Sequence, residues 1–134
     1  MLFFNIEFRK MNTHKFPFTI AFADTDAQGM VYHARYIEIA ERARMNWLRF
    51  TMPPDGDIGF VLKELSMKYI RPLRPADEII VETSIIKLGN ASMTLEHKFV
   101  KDNEVYAIFT GTAAYLGGNL KPKRIPVEIL DKCK

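Results

Sequence analysis

An α+β domain, one long helix packed on a five-stranded antiparallel sheet, is the fold class that this sequence predicts. Three observations carry it. One helical period occurs between residues 36 and 50, where Tyr36, Ile39, Ala40, Ala43, Trp47 and Phe50 recur at helical spacing. One alternating strand pattern precedes it, and four long strand-like runs separated by turn residues follow it. The 134 residues, 48% hydrophobic and 26% charged, have the size and composition of a single soluble domain.

Taken in order, residues 1–14 read as an N-terminal extension to a domain over 15–134, because alternation begins at Phe16; Met11 offers a second possible start. In "FPFTIAF" (16–22), Phe16, Phe18, Ile20 and Phe22 fall on one face of a strand. "ADTDAQG" (23–29) is a loop rich in Asp and Gly. The helix has a polar face of Glu38, Glu41, Arg42 and Arg49, with Glu38 and Arg42 in the favourable i,i+4 orientation. "TMPPDGDIG" (51–59) ends it, because Pro53-Pro54 cannot continue a helix. Strands are expected over 60–73, 78–88, 92–100 and 105–116, with turns at "RPAD", Gly89-Asn90 and Lys101–Glu104. Gly117-Gly118 and Pro122 break the chain, and "PVEILDKCK" forms a last short helix. Wrapping the sheet around the helix buries the apolar stripe. It also leaves sheet surface and at least one edge open, which a second copy would cover, so a homo-oligomer is expected.

Composition narrows the function. The net charge of +3 comes from basic residues spread along the chain, not from the concentrated basic face that nucleic-acid binding requires. It can still help to hold a phosphate-bearing small molecule. Cys133 is the only cysteine, so no internal disulfide forms, and a reducing, cytoplasmic compartment fits. Its neighbours Lys132 and Lys134 favour a lowered thiol pKa, but a fraying chain end is a poor place for a nucleophile. No apolar run approaches the ~20 residues of a membrane span. "MLFFNIEF" lacks the basic region and cleavage site of a signal peptide. His14, His33 and His97 are scattered, with no HxxxH or CxxC spacing, so no metal is expected.

The loop before the helix concentrates the chemistry. Asp24 and Asp26 alone would read as turn or cap residues. Gly29 and the Tyr32-His33 pair at the helix entrance change that reading. The first amides of a helix lack intrahelical partners, and with the positive dipole end they stabilise an anion, including a tetrahedral oxyanion. A carboxylate across the same pocket can serve as base or nucleophile. Together these can hydrolyse an activated acyl group. Ser66, Ser92 and Thr110 have no evident base partner, which disfavours a serine-hydrolase triad.

"FADTDAQGMVYHARYIEIAERAR" resembles the signature of the 4-hydroxybenzoyl-CoA thioesterase family, particularly its acyl-CoA thioesterase branch associated with Tol–Pal gene clusters. The residues that match are Asp24, Thr25, Asp26, Gly29, Val31, Tyr32, His33, Tyr36, Glu41 and Arg42-Ala43-Arg44, within a likeness over roughly residues 15–130. The resemblance implies a hotdog fold and an acyl-CoA substrate, with no cofactor. It also implies dimers or tetramers of dimers with sites at subunit interfaces. It implies Asp26 as the catalytic carboxylate and His33 as the position whose backbone N–H polarises the thioester carbonyl, with a further role for the His33 ring. Asp24 would shape the loop. Phe22 departs from the branch, which often has tyrosine there. Gly29 and Tyr32 would line the substrate site. Lys87, Lys123 and Arg124, with Arg71 and Arg74, are candidates for the CoA phosphates. Glu41 and Arg44 read as an ion pair at i,i+3 rather than catalytic groups. Two alternatives stay open: an acyl-ACP or acyl-CoA dehydratase, whose His/acid motif is absent here, and a non-catalytic acyl-binding protein.

Overall fold

The computed structural model, which describes residues 13–49 and 53–133, lays the chain out in seven main elements. These are β1 (His14–Thr19), α1 (Arg35–Leu48), β2 (Gly59–Tyr69), β3 (Glu78–Leu88), β4 (Ser92–Lys101), β5 (Glu104–Leu116) and α2 (Val127–Lys132). The strands form one sheet in the order β1-β3-β4-β5-β2, and every neighbouring pair is antiparallel. One face of that sheet packs on α1, which gives the expected hotdog arrangement. No helix among the described residues is long and apolar enough to cross a membrane.

Period-two patterning builds the inner face. Val81, Thr83 and Ile85 of β3, Met93, Leu95, His97 and Phe99 of β4, and Ala107, Phe109 and Gly111 of β5 are all buried. Against them α1 buries Tyr36, Ile39, Ala40, Ala43 and Leu48, the stripe that the 3.6-residue period set out. Full burial of each large apolar side chain contributes roughly 1.5–3 kcal/mol. Gly111 has no room for a side chain, because a Cβ would sit 3.1 Å from both Leu62 Cδ1 and Phe109 Cζ.

Several boundaries differ from the sequence expectation. Of the proposed extension over 1–14, residues 1–12 lie outside the described residues, while His14 already pairs with Thr83 as the first residue of β1. β1 ends at Thr19, and Phe22 enters a 3₁₀ turn with 83% of its surface exposed instead of extending the strand. α1 stops at Leu48, before the prolines: Arg49 takes the left-handed conformation (φ 50°, ψ 38°) and its N–H closes on the Met45 carbonyl at 2.9 Å. Phe50, expected in the helix, lies outside the described residues. β2 ends at Tyr69, not at residue 73. The amides of Ile70 and Arg71 both turn to the Tyr106 carbonyl, and Leu73 is buried on the core side.

The C-terminal segment closes the far end of the sheet. Ile125, Ile129 and Cys133 pack with Leu48, Ile85, Met93 and Tyr115 in a second apolar cluster. Cys133 therefore corrects the expectation of a thiol lowered by flanking lysines on a fraying end. It is fully buried, its Sγ–H donates to the Ile129 carbonyl at 3.4 Å, and burial pushes its pKa up to about 11. Nearby, buried Asp57 accepts hydrogen bonds from Tyr115 Oη (2.8 Å) and Lys123 Nζ (2.8 Å). The Lys123 bond leads in holding the Asp57 carboxyl below its ordinary range.

The two sheet edges are unlike each other. β1 carries Pro17 in its middle, which cannot donate to a further strand. β2 is eleven residues long and leaves Val61, Leu62, Leu65 and Tyr69 exposed. A register shift between Leu62 and Glu64 keeps Leu62, Leu65, Met67 and Tyr69 on the inner face, opposite Ala113, Gly111, Phe109 and Ala107 of β5.

Candidate active site

The entrance to α1 is shaped by Asp24. Its carboxylate accepts the Ala21 N–H (2.8 Å) through one oxygen and Arg35 Nε (2.9 Å) through the other, while its backbone carbonyl accepts the Tyr32 N–H (3.1 Å). One buried aspartate thus binds the end of the first strand to the first residue of the helix. No side chain caps α1 at Ala34; the Asp24–Arg35 pair anchors the start of the helix through the Arg35 side chain and takes up none of its amides.

Between those anchors the chain makes a closed loop. Thr25 and Val31 form an isolated bridge, the Asp26 N–H donates to the Met30 carbonyl (2.9 Å), and the Gly29 N–H returns to the Asp26 carbonyl (3.0 Å). Gly29 has φ +76°, and nothing lies within 4 Å of where its Cβ would be. Glycine is used there for its conformation and not for space. The Val31 N–H donates to the Leu73 carbonyl (2.9 Å), which draws residues 70–73 across the loop.

These pieces enclose a cavity of about 390 Å³, lined by Asp26, Gln28, Met30, Val31 and His33 from the loop, Tyr36 from α1, and Tyr69 to Pro72 from the end of β2. Asp26 Oδ1 accepts the Gln28 N–H at 2.8 Å, which fixes the carboxylate; Oδ2 has no hydrogen-bond partner among the described residues. No acceptor among the described residues takes the His33 or Ala34 N–H. Asp26 and His33, whose N–H has no acceptor among the described residues, therefore line one cavity. Tyr36 meets Phe99 and Tyr69 edge-on, with ring centres 5.1 and 5.6 Å apart, and burial raises its pKa to about 12.

The other candidate residues divide. Gly29 shapes the loop beside the cavity. Tyr32 is about half exposed and does not line the cavity; its ring lies against that of His33, 4.2 Å between centres. Arg71 lines the cavity and pairs with Glu104 at 2.6 Å. Lys87, Lys123 and Arg124 sit elsewhere. Lys87 pairs with Thr94 near the β3–β4 turn and Lys123 N–H bonds the Tyr115 carbonyl, whereas Tyr69 at the cavity pairs with Ala107. Ala107 and Tyr115 lie about 25 Å apart along β5. Within one chain those three cations do not reach the cavity, and Lys123 is occupied by Asp57. Glu41 and Arg44 do approach, at 3.8 Å. Among the described residues no group of three or more His, Cys, Asp or Glu is placed to hold a metal ion.

Sequence reasoning missed Tyr69, whose hydroxyl donates to the His33 carbonyl at 2.8 Å, and His97, a buried histidine on β4. No local signal marks Tyr69, since its partner is far away in sequence. His97 was legible as an inward position, because Met93, Leu95, His97 and Phe99 alternate.

A long helix wrapped by an antiparallel sheet, with a carboxylate facing the helix entrance, defines a hotdog protein equipped for acyl chemistry. More particularly, residues 20–133 match the model of the thioesterase-like superfamily, and the chain belongs to it, within the 4-hydroxybenzoyl-CoA thioesterase family. An acyl-CoA thioesterase YbgC of Haemophilus influenzae is 31% identical over 125 residues, covering 88% of this chain and 92% of that one. A probable thioesterase from Bartonella henselae superposes with a TM-score of 0.78 at 28% identity, covering 86% of this chain and 100% of that one. A 1,4-dihydroxy-2-naphthoyl-CoA thioesterase from Synechocystis reaches a TM-score of 0.83 at 17% identity, over 91% of this chain and 96% of that one, a likeness of fold.

Proposed function

We propose that the protein is an acyl-CoA thioesterase, with Asp26 and the helix entrance at His33 as its catalytic pair. The observation that carries this is their meeting in one cavity, with one carboxylate oxygen and the His33 amide both unpartnered among the described residues. As a general base, Asp26 takes a proton from water as that water adds to the thioester carbonyl. The oxyanion that forms accepts the His33 N–H. Collapse breaks the C–S bond, and the proton passes from Asp26 to the CoA sulfur, leaving free acid and CoA. As a nucleophile, the same carboxylate would add to the carbonyl, and collapse would break the C–S bond, expel the CoA thiolate and leave a mixed anhydride. Water would hydrolyse that anhydride to free acid, restore the carboxylate and give a proton to the thiolate.

The protein works as a dimer or a tetramer of dimers in this reading, paired through β2. A long, apolar, unprotected edge is a template for a second strand, and β2 is such an edge. Two-fold antiparallel pairing would set the Tyr69 end of one strand beside the Gly59 end of the other. The partner's Lys123 and Arg124 would then approach the cavity, where CoA phosphates could be met in trans. With its single thiol buried, the protein suits a reducing compartment, and we place it in the cytoplasm.

The test is thiol release from short, long and aromatic acyl-CoAs, followed with a thiol reagent, for the wild type and Asp26→Asn. Wild-type turnover that falls by about 10²–10⁴-fold in the variant supports the assignment. No thiol release from any acyl-CoA would refute it and would favour a dehydratase or a non-catalytic acyl-binding protein.

A further inference from the structure

Tyr69 stands at the last residue of β2, and its ring packs edge-on against Tyr36. Its hydroxyl reaches across the cavity mouth and donates to the His33 carbonyl at 2.8 Å. That carbonyl belongs to the peptide unit between His33 and Ala34, at the point where the chain enters α1. A hydrogen bond to a peptide oxygen draws electron density from its nitrogen and makes the N–H of the same unit a stronger donor. It also fixes the rotation of that peptide plane, and with it the direction of the Ala34 N–H.

Few other contacts could set that plane. Ala34 has no side chain that could cap the helix, and the Asp24–Arg35 pair holds the helix one residue further on. The His33 ring rests on Tyr32, which is itself half exposed. The Tyr69 hydroxyl is the side-chain group among the described residues that grips the entrance peptide directly.

The geometry points to Tyr69 as a positioning residue for the oxyanion site: by holding the His33–Ala34 peptide it polarises and aims the Ala34 N–H, a second unpartnered amide beside that of His33 among the described residues. This rests on the thioesterase reading above. The residue governs how well the amides meet a developing oxyanion, so its influence falls on the transition state more than on the bound substrate. Because β2 is also the open sheet edge, the same residue joins the edge to the catalytic entrance.

Tyr69→Phe removes the hydroxyl and keeps the ring against Tyr36. In steady-state thiol-release assays with the best acyl-CoA substrate, kcat should fall by about threefold to tenfold, the worth of one net hydrogen bond. KM should stay within about twofold. In ¹H–¹⁵N spectra the Ala34 amide proton should move upfield in the variant, a readout that a merely packing role would not shift. Unchanged kcat, or a rise in KM alone, would overturn the assignment and leave the thioesterase reading intact. A wild-type protein without turnover would overturn both. Should Tyr69→Phe misassemble, p-aminophenylalanine at position 69 restores a donor at the ring tip: recovered turnover supports the role, and lost turnover in a correctly assembled protein refutes it.

Discussion

Mild acid should destabilise the protein through His97. This side chain is 1% exposed, its ring stacks on Phe109 with centres 5.3 Å apart, and Nδ1 shares a 2.8 Å hydrogen bond with the buried Thr83 hydroxyl. Burial first, and the Arg44 charge second, lower its pKa from 6.5 to about 4. Between those values the unfolded chain binds a proton that the native state refuses, so stability falls as pH drops through the window. A gap of that size corresponds to about 3 kcal/mol, a large part of the roughly 5–15 kcal/mol that holds a domain folded. Asp57, held low by its Lys123 hydrogen bond, keeps its charge throughout and loses its contribution only further into acid. The assay is urea unfolding at fixed protein concentration, from neutral pH down to about 4, for the wild type and His97→Leu. The wild type should lose about 3 kcal/mol across the window. The variant should lack that slope, while starting about 1–3 kcal/mol lower because the Thr83 hydroxyl is left unpaired. Equal slopes in the two proteins would refute the reasoning.

Three further outcomes follow from the geometry. Asp24→Asn should lower stability by on the order of 1 kcal/mol, since Arg35 is about a third exposed and solvent takes up part of the loss; its turnover should exceed that of Asp26→Asn. His33→Ala should lose less turnover than Asp26→Asn. His33→Pro, which deletes the N–H, should lose about 10²–10³-fold; equal activity in correctly assembled alanine and proline variants would exclude the backbone donor. Leu65→Lys places a charge at a half-exposed inner-face position of the β2 edge strand and should shift the protein to monomers in sedimentation. An unchanged assembly would show that the subunits do not pair there.

Much of this architecture could be read from side-chain periodicity. The stripe from Tyr36 to Ala43 and the alternation from Met93 to Phe99 specify which faces are buried, whatever the tertiary detail. Element ends were less legible. Pro53-Pro54 is a sound stop signal, yet the left-handed turn at Arg49 stops the helix earlier, and no residue type announces it. Likewise apolar residues continue to Leu73, but Ile70 and Arg71 leave the sheet because residues 70–73 are needed across the loop. The loop that carries Asp26, Gly29 and His33 was legible because its contacts are local. The surroundings of Lys123 were not legible for the opposite reason: they are set by Asp57, far away in sequence. Tyr69 was missed on the same ground.

The strand order carries a consequence for how the chain assembles. β3, β4 and β5 form a meander of two tight hairpins, whose contacts close short loops and so can form early. β1 and β2, though consecutive in sequence, must travel to opposite edges: His14 pairs with Thr83 and Tyr69 with Ala107. The cavity is made where these two late arrivals meet the start of α1, since Asp26 follows β1 and Tyr69 ends β2. By loop-closure entropy, the entrance to α1 should be the last part of the chain to lock. In native-state amide exchange it should also open by smaller fluctuations than the meander, whose amides should exchange only on global unfolding. A chain caught before that final docking would carry a formed sheet and no competence, so recovery of turnover during refolding should lag behind recovery of β-structure.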